Sequence, residues 1–254
     1  MKILFLGDIA GKPGVYAVQK YLESEKNKYD FIIANAENAT AGRGLAKNEA
    51  DLIFSAGVHA VTMGNHVWDN KEFAAIANEN RFVRPANYPA GTPGKGYRLF
   101  QVKNRKIGVI NLLGSIFMDS LVPPFQIIDK LLQDADPEAA IIVDIHAEAT
   151  SEKKALGFYL DGRVSAVAGT HTHIQTADEQ ILPGGTAYIT DIGMCGSNDS
   201  VLGIKKEIAI KKFLTKMPVR FEVSDSDLRI NAISMELDNQ NFCTNISRIQ
   251  VQID

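Results

Sequence analysis

Four of the five histidines fall where a short apolar run gives way to polar residues, and carboxylates and carboxamides occupy the same kind of position. Asp8 follows KILFLG, and Glu37 and Asn38 follow FIIANA. Asn65 and His66 follow AVTMG, His146 follows AIIVDI, and His171 and His173 follow VSAVAGT. Imidazoles combined with carboxylate and amide oxygens, and no thiolates, suit a mixed O/N site for iron, manganese, zinc or a similar transition ion. A carboxylate between two such ions bridges them. Two ions roughly 3.5–4 Å apart clamp a phosphoryl group and activate a water. A lone magnesium ion would not call for three histidines.

These groups converge only if the runs before them are strands. KILFLGD, FIIANAEN, AVTMGNH, IGVINLLG, AIIVDIHAE, VSAVAGTHTH and TAYITDIG read as strands buried on both faces, as in sheets covered by helices. Helical spacing lies between them, at about 15–25, 46–56, 71–79, 124–132 and 151–159. The alternation predicts an α/β architecture, in which sites form at the carboxyl ends of strands. Five strand ends then aim ligand-type side chains at one edge of the sheet. Residues 81–96, with Pro85, Pro89 and Pro93, read as loop, followed by a strand at 97–102. Arg105 and Lys106 read as a hairpin turn before a strand at 107–113. From about Met217, RFEVSDSDLRINAISMELD reads as an antiparallel hairpin around SDSD, at a sheet edge. Without repeats or a composition break, one domain over 1–254 is expected.

The bulk properties bound the function. A composition of 45% hydrophobic and 22% charged residues with net charge −3 is ordinary for a soluble protein. It gives no basic surface for a stable nucleic-acid complex. Small anionic substrates remain open, because a metal supplies positive charge locally. The first apolar run is too short for a secretory leader, and no segment reaches the ~20 apolar residues of a membrane span. Two cysteines, Cys195 and Cys243, make no disulfide framework. A cytoplasmic location is expected.

Several residues carry a bland reading beside a chemical one. GDIAGKPG matches neither G-x-G-x-x-G nor a loop ending in G-K-[ST], so Gly7 reads as room for the backbone, and Pro13 and Gly14 as a turn. His59 precedes a strand and reads as structural, and Cys195 as a small core residue. Asp144, two residues before His146, is a candidate partner for that imidazole. Arg43, between glycines in TAGRGL, either holds an anionic substrate or is a surface arginine.

Taken in order, GD (7–8), GNH (64–66), the His146 strand and GTHTH (169–173) resemble the blocks of calcineurin-like metallophosphoesterases. Two blocks depart from that pattern: D-x-H reads Asp8, Ile9, Ala10, and G-D-x reads Ala36, Glu37, Asn38. With GDIAGKPG, NAENATAGRGL, MGNHVWDNKE, DIHAEATSEK and GTHTHIQTADEQILPGGTAYITDIGMCG, the departures resemble the bacterial YmdB-like family over nearly the whole chain. The resemblance implies a four-layer α/β/β/α sandwich of two mixed sheets flanked by helices. It implies hydrolysis of 2′,3′-cyclic nucleotides to 3′-nucleotides by a hydroxide held between two divalent or trivalent metal ions. Iron is the metal implied, with manganese or zinc used by related enzymes. Glu37 would bridge both ions, Asp8, Asn38 and His173 would complete one site, and Asn65, His146 and His171 the other. His66 would donate a proton to the leaving oxygen, a role worth ~10²–10⁴-fold. The partner implied is a small phosphodiester, and a homo-oligomer can form. The rivals are a phosphomonoesterase, a broad-specificity diesterase or nuclease acting on RNA ends, and a regulatory scaffold that keeps its metal site.

Overall fold

The computed structural model describes residues 1–118 and 122–253. Its first half comprises β1 (Lys2–Ile9), α1 (Gly11–Glu25), β2 (Phe31–Asn35), α2 (Lys47–Ala56), β3 (Ala60–Thr62), α3 (Phe73–Ile76), β4 (Phe82–Val83), β5 (Tyr97–Val102) and β6 (Arg105–Leu113). There follow α4 (Pro124–Asp134), β7 (Ala140–His146), α5 (Thr150–Tyr159), β8 (Ala166–Thr170), β9 (Gln180–Ile181), β10 (Ala187–Ile189), β11 (Met194–Ser197), α6 (Lys206–Thr215), β12 (Leu228–Leu237) and β13 (Cys243–Ile253). None of the described helices is long and apolar enough to cross a membrane.

The strands form two mixed sheets. Among the described residues, one has seven strands in the order β13-β12-β11-β1-β2-β3-β4, and the other six, β5-β6-β7-β8-β10-β9. β1 runs parallel to β2 and β11, and β12 lies antiparallel to both β1 and β11. In the second sheet β6, β7, β8 and β10 are parallel, between antiparallel edge strands β5 and β9.

Side-chain alternation along each strand explains the layers. On β1, Ile3 and Phe5 share a core with Ile107, Val109, Ile142, Ala168 and Ile189 of the other sheet. Leu4 and Leu6 point the opposite way, into a core with Val15, Val18 and Leu22 of α1 and Ile53 of α2. On the far side Ile141, Val143 and Ile145 of β7 pack with Ile128 of α4 and Leu156 of α5. The result is helices, sheet, sheet, helices: the α/β/β/α sandwich expected. Both faces of the central strands are covered, so their sequences run apolar instead of alternating.

Several local expectations need correction. α1 begins at Gly11, so Pro13 and Gly14 lie in its first turn, where a missing N–H costs nothing and the proline ring fits the helical φ. The hairpin turn is Lys103–Asn104, with Val102 opposite Arg105. Arg105 and Lys106 are strand residues whose charges find Asn241 Oδ1 at 2.6 Å and Asp136 Oδ2 at 2.8 Å. The helix expected over 71–79 spans only Phe73–Ile76 and then tightens, with Glu79 N–H donating to Ile76 O. The C-terminal hairpin turns at 238–242, where Asp238 Oδ1 accepts from the N–H groups of Gln240 and Phe242. The SDSD segment is a loop before β12, tied down by Ser197 Oγ donating to Ser226 O at 2.6 Å. α6 is a helix that the apolar spacing does not predict. It buries only Ala209, so its sequence shows little of the apolar stripe that betrays a helix.

Candidate metal centre

The ligand-type groups do follow strand ends, but the strands belong to two sheets. Asp8 is near the end of β1, Glu37 and Asn38 follow β2, and Asn65 and His66 follow β3, all in the seven-stranded sheet. His146 ends β7, and His171 and His173 follow β8, in the six-stranded sheet. The two carboxyl edges meet, and the expected single edge is a junction: Glu37 Oε1 lies 2.9 Å from His146 Nε2 across it.

Hydrogen bonds behind each imidazole decide which nitrogen faces the junction. His146 Nδ1 lies 2.9 Å from Thr170 Oγ1, whose hydroxyl donates to Asp144 Oδ1 at 2.7 Å. Thr170 has then spent its proton, so Nδ1 donates and Nε2 keeps its lone pair toward Glu37. His171 Nε2 lies 3.1 Å from Glu148 Oε2, which leaves Nδ1 as the acceptor, 3.0 Å from His146 Nε2. His173 Nδ1 donates to Leu202 O at 3.1 Å and turns Nε2 inward.

Four acceptor atoms therefore crowd together: Glu37 Oε1, His146 Nε2, His171 Nδ1, and Asn65 Oδ1 at 3.1 Å from His146 Nε2. Ligand atoms of Glu37, His146 and His171 all lie within 4.8 Å of one another. Lone pairs aimed at one point repel unless a cation sits among them, so this donor set fits a metal ion. A Cβ on Gly64 would stand 2.3 Å from both Glu37 Oε2 and His146 Nε2, so only glycine lets the backbone pass here.

The second group is looser. Asp8 Oδ1 is buried without a hydrogen-bond partner and lies 4.0 Å from His173 Nε2. Such an orphan oxygen is costly unless a cation pairs with it. Asp8 Oδ2 accepts from His171 N–H at 3.1 Å. Asn38 points Nδ2, not Oδ1, at His173 Nε2 (3.0 Å) and Glu37 Oε1 (3.3 Å); a half turn of the amide exchanges the two atoms within the same space.

The same neighbours set the proton balance of the cluster. Burial opposes charge on His146, but Glu37 beside it prevails and lifts the imidazole to about 9. Burial likewise opposes ionisation of Glu37, yet His146 and the His66 N–H hold it at about 2. Burial pushes Asp8 up to about 6, against His173 and His146. Burial and the charge on His146 hold His171 down at about 3.

His66 sits on the rim rather than in the cage. Its backbone N–H donates to Glu37 Oε2 at 2.8 Å, and its Nδ1 lies 2.8 Å from Asp69 Oδ2. Arg43 Nε holds the same Asp69 oxygen at 2.9 Å, while the guanidinium side chain stays 68% exposed. Both residues line a cavity of about 570 Å³ with Glu37, Asn38, His171 and His173.

Sequence reasoning finds the supporting residues only in part. Asp144 does stand behind His146, through Thr170, and also accepts from Asn35 Nδ2 at 3.2 Å. Asp191 was missed, although it follows the apolar run TAYIT just as the others follow theirs. It accepts from Thr172 N–H at 3.0 Å and Gly193 N–H at 2.8 Å, and pairs with Lys153 Nζ at 2.7 Å with both side chains fully buried. The loop it braces holds His171 and His173 at φ 98 and 65, left-handed values that β-carbon residues resist. Asp69, three residues after His66, was also missed. Gly7 leaves room for backbone, that of Gly193, whose carbonyl oxygen would meet a Cβ at 2.0 Å. Cys195 is a core thiol, pushed up to about 12 by burial. His59 is structural, its Nδ1 accepting from Ile32 N–H at 3.0 Å.

Comparison with known proteins agrees with this geometry. Residues 4–249 match the family model described as YmdB-like protein. The chain is 47% identical over 259 residues to the 2′,3′-cyclic-nucleotide 2′-phosphodiesterase of Bacillus subtilis (strain 168), covering 100% of this chain and 98% of that one. The crystal structure of a hypothetical protein from Thermus thermophilus superposes with TM-score 0.96 at 42% identity, covering 99% of each chain. That of a novel phosphatase from Mycoplasma pneumoniae gives 0.93 at 38% identity, covering 99% of this chain and 93% of that one. With its acceptor cage at the junction of two sheets and these relatives along its whole length, the chain belongs to the YmdB-like family of metallophosphoesterases.

Proposed function

We propose that this phosphodiesterase, acting as one domain over 1–254, opens 2′,3′-cyclic nucleotides to 3′-nucleotides at a two-metal centre. The observation that carries the reading is the acceptor cage of Glu37, Asn65, His146 and His171 beside the orphaned Asp8 oxygen. Glu37, Asn65, His146 and His171 would hold one ion, and Asp8, Asn38, His173 and the bridging Glu37 the other. Iron is the proposed metal; manganese and zinc suit the same nitrogen and oxygen donors. When bound, the ions supply Lewis acidity toward the phosphoryl oxygens and acidify water for attack.

The chain's own residues do the rest. His66, at the cavity wall with Nδ1 2.8 Å from Asp69 Oδ2 and Nε2 3.4 Å from Asn65 Nδ2, would donate a proton to the leaving 2′-oxygen. Asp69, at 2.8 Å from Nδ1, fixes the orientation of the ring. Arg43, held by Asp69 at the mouth, adds a cation that attracts the anionic substrate and stays solvated.

The test is turnover of 2′,3′-cyclic AMP by metal-analysed protein beside Glu37→Ala. The expected result is 3′-AMP from the wild type, and neither full metal content nor turnover in the variant. No turnover by fully metallated wild-type protein sinks the substrate assignment. Activity on monoesters alone, or on RNA ends alone, would transfer it to one of those substrates.

A further inference from the structure

The cavity has a second wall that the phosphate chemistry leaves unused. Besides the ligand-type residues it is lined by Leu202, Ile204, Phe221 and Val223. Phe221 is 47% and Leu202 47% exposed, unusual for large apolar groups beside so polar a site. A metal clamp and an arginine account for a phosphate, not for this surface.

The wall is built, not draped. The backbone ties its two strips together: Lys205 N–H donates to Glu222 O at 3.0 Å and Ser224 N–H to Gly203 O at 2.9 Å, with Ile204 and Val223 bridged between them. Val223 packs where a Cβ on Gly11 would come within 2.8 Å and one on Gly42 within 3.3 Å, so it seats the wall against the start of α1 and the loop after β2. Leu202 joins wall to ligands, because its carbonyl oxygen accepts from His173 Nδ1. Lys212 Nζ lies over the Phe221 ring, 4.5 Å from its centroid, and props the ring through a cation–π contact. A ring so held lines the same cavity as Glu37, Asn38, His171 and His173, and offers an aromatic face beside the phosphate chemistry.

Resting on the cyclic-nucleotide reading, we infer that Phe221, with Leu202, Ile204 and Val223, forms the seat of the substrate's nucleobase. Recognition by an aromatic face and aliphatic side chains grips any base by its flat face and reads no hydrogen-bonding edge. The seat therefore accepts purines and pyrimidines alike, purines more tightly because their rings are larger.

The experiment compares 2′,3′-cyclic AMP, 2′,3′-cyclic CMP and the base-free 1-O-methylribose 2,3-cyclic phosphate on wild type, Phe221→Ala and Phe221→Trp. Phe221→Ala is expected to raise KM about tenfold for cyclic AMP, less for cyclic CMP, with kcat nearly unchanged and the base-free substrate unaffected. Phe221→Trp restores the lost KM. Equal KM values with and without a base in the wild type, or a change in Phe221→Ala shared by all three substrates, overturns the seat. A changed sedimentation mass with unaltered KM also overturns it, because Phe221 then meets a second copy of the chain. Calorimetric binding of 3′-AMP separates this inference from the reading beneath it. If the wild type turns over no cyclic nucleotide, the diesterase reading falls. The seat then stands if Phe221→Ala weakens 3′-AMP about tenfold and leaves inorganic phosphate unchanged, and falls if both bind as before.

Discussion

On the floor of the cavity Glu37 and His146 are sealed from solvent, each contact backed by another: Thr170 and Asp144 behind His146, Lys153 and Asp191 behind the His171–His173 loop. On the rim His66 and Arg43 share one carboxylate, Asp69, and face water. The floor lies where charge is expensive, so every group must be matched and a single misfit propagates. The rim lies where charge is cheap, so a residue can be exchanged without moving its neighbours. On the proposed reading, metal binding would belong to the first region, and proton delivery and substrate capture to the second.

The comparison breaks soonest at Gly64. Gly64→Ala, the addition of one methyl group against Glu37 Oε2 and His146 Nε2, should abolish metal retention and cut turnover by at least ~10²-fold, measured by elemental analysis beside an assay. A variant that keeps both metal and rate would show the floor to be pliable. Next, Lys153→Met leaves Asp191 charged and unpaired in the interior and should cost ~3–5 kcal/mol in denaturant unfolding. A loss below ~1 kcal/mol would place that pair among the weak contacts of the surface. On the rim, His66→Ala should lower kcat about a hundredfold or more while metal content stays at the wild-type level. Loss of metal together with rate would move His66 to the floor.

The smallest effect concerns a group on the scaffold. Asp178 accepts from Thr176 Oγ1 at 2.6 Å, Thr190 Oγ1 at 2.5 Å and Thr190 N–H at 3.1 Å. Burial pulls its carboxyl the other way, yet these bonds hold it below the ordinary 3.8. A depressed carboxylate stabilises the fold above 3.8, and that stability is lost as pH falls through the folded value. Melting temperature should thus decline more steeply below pH 3.8 in the wild type than in Asp178→Asn, with identical slopes at pH 7.

Much of the floor is legible in the sequence because one physical rule generates it. Strands covered on both faces read as apolar runs, and the residues just past each run lie at the carboxyl edge, which places Asp8, Glu37, Asn65, His146 and His171 together. The same rule applied to TAYITD points to Asp191, but a lone aspartate without a ligand-type neighbour gives no reason to choose it. Lys153 leaves no trace, since a lysine on a helix ordinarily faces water and only the folded position of Asp191 draws it inward. That two sheets supply the ligands is likewise invisible in any single run. Phe221 and Leu202 carry no signal because irregular segments have no periodicity, and a wall made by two loops exists only after their backbones have bridged.

The position of β1 in its sheet sets the order in which the protein can be made. Its neighbours are β2, soon after it, and then β11 at Met194–Ser197 and β12 at Leu228–Leu237. At ~5–20 residues per second, β1 leaves the ribosome about ten seconds or more before those two partners exist. Through that interval one side of the strand bearing Asp8 offers unpaired backbone to whatever it meets, a hazard for which nascent chains depend on chaperones. Asp8 has no finished pocket until translation is almost over. On the two-metal reading, loading would follow synthesis, because the strand bearing Asp8 is fully paired only once β11 and β12 exist.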